Sequence, residues 1–289
     1  MDYKANYENW LNDNYFDDLT RAELLALADD AIEIEDRFHK NLDFGTGGLR
    51  GIIAAGTNRM NIYTVRKATQ GLANYIIKNT PDGKCRGVAI AYSSRRYSKE
   101  FAEAAALTLC ASGIKVYIFG DLRPTPVLSF TVRHLGCVSG IVITASHNPP
   151  EYNGYKCYWE DGAQVKYPQD VEIINEVNAV KSFSEISTMS KEDAVNVGLL
   201  NYIGKEVDDA FIAAVLEQGV HKDAAANAAL SIVFTPLNGA GNVLVRRALS
   251  EAGFVNIYVP PEQENPDPNF TTIGYPNPEN RAAFDIAIK

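Results

Sequence analysis

Ser146 and His147 are neighbours in Thr144-Ala145-Ser146-His147-Asn148-Pro149-Pro150, and Lys156 follows on the same polar run. A serine hydroxyl does covalent work only beside a general base or when it already carries a phosphoryl group. His147 is a side chain that takes and gives protons near neutral pH, and Lys156 supplies positive charge where phosphoryl oxygens would gather. No Asp or Glu directly follows Ser146 and the GxSxG elbow of hydrolases is absent, so the set suits phosphoryl transfer better than acyl transfer. A serine hydrolase would need a buried carboxylate oriented on His147. The prolines stiffen the run, which helps to hold a nucleophile in one pose. A plain Asn-Pro turn with a capping serine competes with this reading. Against it stands the crowding of Ser146, His147, Asn148, Pro149, Gly154, Lys156 and Gly162 into one short stretch.

Such groups need a scaffold. Ser146 comes straight after the apolar run Val138-Ser139-Gly140-Ile141-Val142-Ile143, and ligands of open α/β sheets collect at the carboxyl ends of strands. Val88–Tyr92 reads as a buried strand, Ser98 to Ser112 as a helix capped by Ser98, Lys115 to Phe119 as a strand, and Pro126 to Leu135 as a helix. This alternation predicts an α/β fold, a mixed and mostly parallel sheet sandwiched by helices. Residues 2 to 40 read as helices, with a capping-box match at Thr20-Arg21-Ala22-Glu23. Thr64 to Lys78 also reads as helical. A polar stretch from Lys181 to Gly198 closes a first domain, taken as 1–203. A second, 204–289, restarts with a helix at Asp208 to Gln218 and a strand–loop–helix–strand run from Leu230 to Val259. That run parallels the segment from Val88 to Phe119, which suggests an internal repeat. After a proline-rich loop and a helix at 278–284 the chain stops in an apolar segment, so the second domain is expected to be incomplete, with strands still unpaired.

Asp43-Phe44-Gly45-Thr46-Gly47-Gly48-Leu49-Arg50-Gly51 invites a nucleotide cradle but lacks GxGxxG spacing, a preceding strand and a following GKS or GKT. It reads as a flexible loop whose N–H groups and Arg50 either bind an anion or simply turn the chain. Arg95 and Arg96 lie at the same sheet edge as Ser146 and read equally as phosphate contacts or as the solvated start of a helix. Pro126 in Leu122-Arg123-Pro124-Thr125-Pro126 has an adequate structural explanation at a helix start. The net charge of −9 argues against nucleic acid as a partner and requires any anionic ligand to be met locally. The four cysteines are scattered without a CxxC pair and read as reduced core thiols. No stretch approaches the roughly 18 apolar residues of a membrane span and the N-terminus has no apolar leader region, so the expected location is cytoplasmic.

Taken together, Thr144-Ala145-Ser146-His147-Asn148-Pro149 with Asn153-Gly154-Tyr155-Lys156 resembles the active-site loop of the α-D-phosphohexomutases, in the phosphoglucomutase/phosphomannomutase branch that includes phosphopentomutases and glucose-1,6-bisphosphate synthase. Phe44-Gly45-Thr46-Gly47-Gly48-Leu49-Arg50-Gly51 matches that family's N-terminal FGTxGxRG segment. The resemblance implies that Ser146 carries the phosphoryl group and lends one of its oxygens to Mg²⁺. It implies that His147 and Lys156 transfer protons and stabilise charge, and that Arg50 contacts the moving phosphoryl, with Thr46 and Gly47 beside it. Hexose phosphates and bisphosphates are the implied partners, with phosphopentomutase or bisphosphate synthase as alternatives and a sugar-phosphate-binding protein as the non-enzymatic one. The sequence departs from the family at Ser93, where Asp is common. It also lacks the DxDxDR loop that holds the Mg²⁺, which family order puts just past Lys289, and the third and fourth domains. The chain is therefore expected to be an N-terminal piece with little turnover of its own.

Overall fold

In a computed structural model of the chain, residues 2–45, 47–221 and 230–289 are described. The chain begins with α1 (Tyr3–Asn12), α2 (Asp18–Leu25) and α3 (Ala31–Phe38), each started by an aspartate whose carboxylate accepts from first-turn N–H groups. The cap of α2 is Asp17, bonded to the Thr20 N–H, so the expected capping box at Thr20 is not used. These helices bury an aromatic cluster in which Trp10 stacks on Phe16 at 4.1 Å and meets Phe38 and Tyr63 edge-on.

Six strands form the main sheet: β1 (Gly48–Ile52), β2 (Val88–Tyr92), β3 (Val116–Phe119), β4 (Ser139–Ile143), β5 (Tyr152–Trp159) and β6 (Leu200–Ile203), in the order β1-β5-β4-β2-β3-β6. The β4-β2-β3-β6 part is parallel; β5 and β1 add antiparallel at one edge. Every residue of β2 and β4 is buried, as expected of strands covered on both faces. One face packs α4 (Ile62–Asn79), α6 (Ser98–Ala111) and α8 (Gln169–Ala179) around Ile90, Ile141 and Ile143. The other carries α7 (Thr125–His134) and α10 (Lys205–Glu217) against Ala89, Ala91 and Val142. Small helices α5 (Gly83–Arg86) and α9 (Lys191–Asn196) fill connections.

Beyond α10, β7 (Ser231–Val233) and β8 (Asn256–Tyr258) pair in parallel across α11 (Asn242–Glu251), the same local arrangement as β2-α6-β3. Two expectations need correction. The glycine-rich run is no free loop from 43 to 51, since Gly48 to Ile52 is a paired strand; its glycines permit close approach to β5. The helix expected over 278–284 is a 3₁₀ turn at Arg281–Phe284, and the apolar segment after it is a helical turn, α13 (Asp285–Ile288); α12 (Pro261–Glu264) lies earlier.

Candidate active site

Strand register brings the site residues to one face. Val142 pairs with Lys156 and Lys156 with neighbouring Gly48; one step on, the Thr144 N–H donates to Gly154 O at 2.9 Å and Gly154 pairs with Arg50. Side chains alternate with period two along strands, so Arg50, Lys156 and Thr144 all project from the face that Val142 shares with α7. This needs bare backbone in the middle. A Cβ on Gly154 would lie 2.7 Å from Thr144 O and 2.9 Å from Leu49 O, and one on Gly48 would lie 2.0 Å from Tyr155 O. Gly47, with φ +76°, turns the chain into β1 and accepts a bond from the Cys157 N–H at 2.8 Å. Thr46 lies outside the described residues.

Ser146 sits just past β4 with φ +54°, a left-handed conformation that costs a non-glycine residue about 1–3 kcal/mol and needs surroundings that hold it. Its N–H donates to Thr144 Oγ1 at 3.1 Å and its Oγ lies 3.3 Å from His147 Nδ1. Both Ser146 and His147 are exposed, so the hydroxyl is open to a ligand and an imidazole nitrogen stands beside it. Arg50 Nη1 donates to Asn148 Oδ1 at 3.0 Å, tying β1 to the serine loop. Lys156 is half-buried; burial, and then the Arg50 charge, hold its ammonium below the ordinary lysine range.

Arg95, left open above, proves to be buried and to spend its guanidinium on the backbone of this loop. The expected solvated helix start is also wrong in detail. Ser98 is buried as the first residue of α6, the residue before it is left-handed Tyr97, and the Ser98 hydroxyl accepts from Asn153 Nδ2 at 3.0 Å. Asn153, wholly buried, also donates to Arg96 O at 2.9 Å and accepts from the Gly154 N–H. The placement of two arginines at a strand's carboxyl end was the available signal for Arg95; Asn153 was marked only as part of the Asn153-Gly154-Tyr155-Lys156 motif, with nothing to show that it is buried.

These groups open on a cleft of about 300 Å³ between the loops after β2, β3 and β4 and the segments around Leu237, Phe270 and Pro276. Arg123 lines it, held by a two-pronged bond to Asp208 of α10 at 2.8 and 2.7 Å. Lys156 and Arg50 stand on the same sheet face, on β5 and β1, but are not among the residues that line the cleft. The result is a hydroxyl and an imidazole rimmed by cations, which suits a phosphorylated ligand. It does not suit a metal cage. Among the described residues no three His, Cys, Asp or Glu groups come together to hold an ion, and no carboxylate accompanies Ser146.

Comparison with known proteins identifies the family of the chain. Residues 41–184 match the model of phosphoglucomutase/phosphomannomutase alpha/beta/alpha domain I, and residues 209–289 that of domain II. The chain belongs to the phosphoglucomutase/phosphomannomutase family. Among curated members, human phosphopentomutase is 35% identical over 255 residues, covering 86% of this chain and 41% of the relative. A phosphoglucomutase of Staphylococcus haemolyticus is 33% identical over 293 residues, covering 98% and 50%. The chain thus spans about half the length of the curated relatives it matches. The fold is shared with a phosphoglucomutase/phosphomannomutase family protein from Burkholderia thailandensis, with TM-score 0.65, 22% identity, and coverage of 85% of this chain and 48% of that one. A candidate phosphomannomutase from Thermus thermophilus superposes with TM-score 0.71 at 24% identity, covering 86% and 51%.

Proposed function

We propose that the whole protein is an isomerase that moves a phosphoryl group between the 1- and 6-positions of a hexose phosphate, with Ser146 as the carrier. The Ser146 Oγ–P bond breaks as a bond from phosphorus to a sugar hydroxyl oxygen forms, and that hydroxyl's proton passes to a base. The bisphosphate then turns over and gives its other phosphoryl back to Ser146. His147, 3.3 Å from Oγ, is the proton partner on the serine side. Arg50 and Lys156 offset the charge on the phosphoryl oxygens during transfer, and Gly47 contributes to sugar-phosphate binding, a role that the family resemblance extends to Thr46. Were the whole protein to bind Mg²⁺, the described residues would offer it only an oxygen on phosphorylated Ser146, and the ion would neutralise charge on the phosphoryl group.

The observation that carries the proposal is the left-handed, exposed Ser146 at the carboxyl edge of a parallel sheet, next to an imidazole and facing a cation-rimmed cleft. A pentose phosphate is the second reading, favoured by the 35% identity to human phosphopentomutase. Turnover of glucose 1-phosphate and ribose 1-phosphate by the full-length protein tests both. We expect conversion of at least one sugar to fall at least about a thousandfold with Ser146→Ala, as removal of a covalent catalyst does. Undiminished turnover by that variant would remove Ser146 from the chemistry.

A further inference from the structure

Arg95 is 4% exposed, and its four contacts all fall on backbone carbonyls of the serine loop. Nη1 donates to Pro149 O at 2.8 Å and Tyr152 O at 3.0 Å, while Nη2 donates to Ser146 O at 2.8 Å and to Asn148 O. Among the described residues no carboxylate forms an ion pair with it. Instead its guanidinium lies over the ring of Phe270, 5.2 Å from the centroid, and Phe270 comes from the far side of the cleft. Phe270 is itself 4% exposed and left-handed at φ +50°, and its neighbour Asn269 accepts a 2.6 Å bond from Arg96 Nε. Two consecutive residues of the C-terminal segment therefore grip two consecutive arginines after β2.

We propose that Phe270 is a positioning residue that acts through Arg95: by covering the guanidinium it keeps the four-carbonyl clamp closed and so holds Ser146 in its reactive pose. A buried cation hydrogen-bonded only to carbonyl dipoles, with the Glu151 charge as a lesser support, draws in water unless a further negative surface covers it, and an aromatic face supplies one where a paired carboxylate would compete for the guanidinium. Burial, and secondarily the Arg50 charge, press Arg95 down to about 10, so it remains a cation at neutral pH. The Ser146 carbonyl is fixed by Arg95 and its N–H by Thr144 Oγ1, which leaves the side chain as the free end of the residue. Contact with the C-terminal segment thereby becomes a condition for the serine to be poised.

The inference builds on Ser146 as the reactive group, but it is tested by loop order rather than by phosphorus. Amide hydrogen exchange would be followed for Thr144, Ser146, Asn148 and Tyr152, whose N–H groups are all bonded in the closed loop. Phe270→Leu and Arg95→Lys are each expected to speed exchange of these amides about 5- to 30-fold, the range for losing a desolvated cation–aromatic contact. The double variant should be no faster than the quicker single one. Phe270→Tyr, which keeps the ring face, should exchange like the parent, and α4 should be unchanged in all of them. If Phe270→Leu also loosens β8, Phe270→Met replaces it under the same criteria. Unchanged loop exchange in the Leu or Met variant, or effects that simply add in the double variant, would overturn the inference. A clamped loop that never takes up phosphorus would sink the mutase proposal and leave this one standing.

Discussion

Gly48→Ala should open the edge of the sheet on which Arg50 and Lys156 stand. The added Cβ lies 2.0 Å from Tyr155 O and 2.9 Å from Lys156 Cα, both backbone atoms of β5. Reaching the 3.4 Å of ordinary contact requires the strands to part by about 1.4 Å. Ladder hydrogen bonds tolerate only a few tenths of an ångström, so β1 must give up pairing around that point. We place the cost near the top of the overpacking range, about 3 kcal/mol. Gly51→Ala on the same strand is the control. There the Cβ meets Leu42 Cδ1 at 2.9 Å, the movable end of a side chain, and the cost is largely offset by the smaller backbone entropy of the unfolded chain. In urea, with a slope of about 2 kcal/mol per molar, Gly48→Ala should unfold about 1.5 M earlier than Gly51→Ala. Trp159, at the end of β5, reports the transition by fluorescence. Equal midpoints for the two variants would refute the claim that Gly48 is required by backbone approach.

Asp208→Ala should leave Arg123 buried and uncompensated, since their side chains are 8% and 13% exposed; a loss of about 3–5 kcal/mol is expected, read as a fall of about 10 °C in melting temperature. A fall below about 2 °C would mean that the pair holds nothing together. Arg50→Gln should raise the Lys156 pKa partway toward its ordinary value, because the Arg50 charge is the second cause of its depression after burial. An NMR titration of Lys156 Nζ reads this, and no upward movement would contradict it. The sign also bears on stability: with the folded pKa below the unfolded one, the charged ammonium weakens the fold below that pKa, and the penalty fades as pH rises through it.

What could be read from the residues was what local pattern encodes. Val88–Tyr92 and the apolar run before Ser146 announce themselves as strands buried on both faces, and Thr64 to Lys78 shows helical spacing, so the layered α/β fold followed. Gly48 read as part of a flexible loop and Gly154 only as a member of the serine run, yet their role depends on oxygens of neighbouring strands, a relation that no single segment carries. The serine loop was legible because its reactive side chains are contiguous. Arg95 was not, since whether an arginine after a strand faces solvent or a ring of carbonyls is decided by residues about fifty positions later. Phe270, further away still, had no signal beyond being an aromatic in a proline-rich loop.

Intact mass followed by peptide mapping, after exposure of the protein to glucose 1,6-bisphosphate, tests the central claim most directly. One added phosphoryl group is expected, located on Ser146 and absent from Ser146→Ala. A protein that stays unmodified, or that carries the group on another residue, would contradict it.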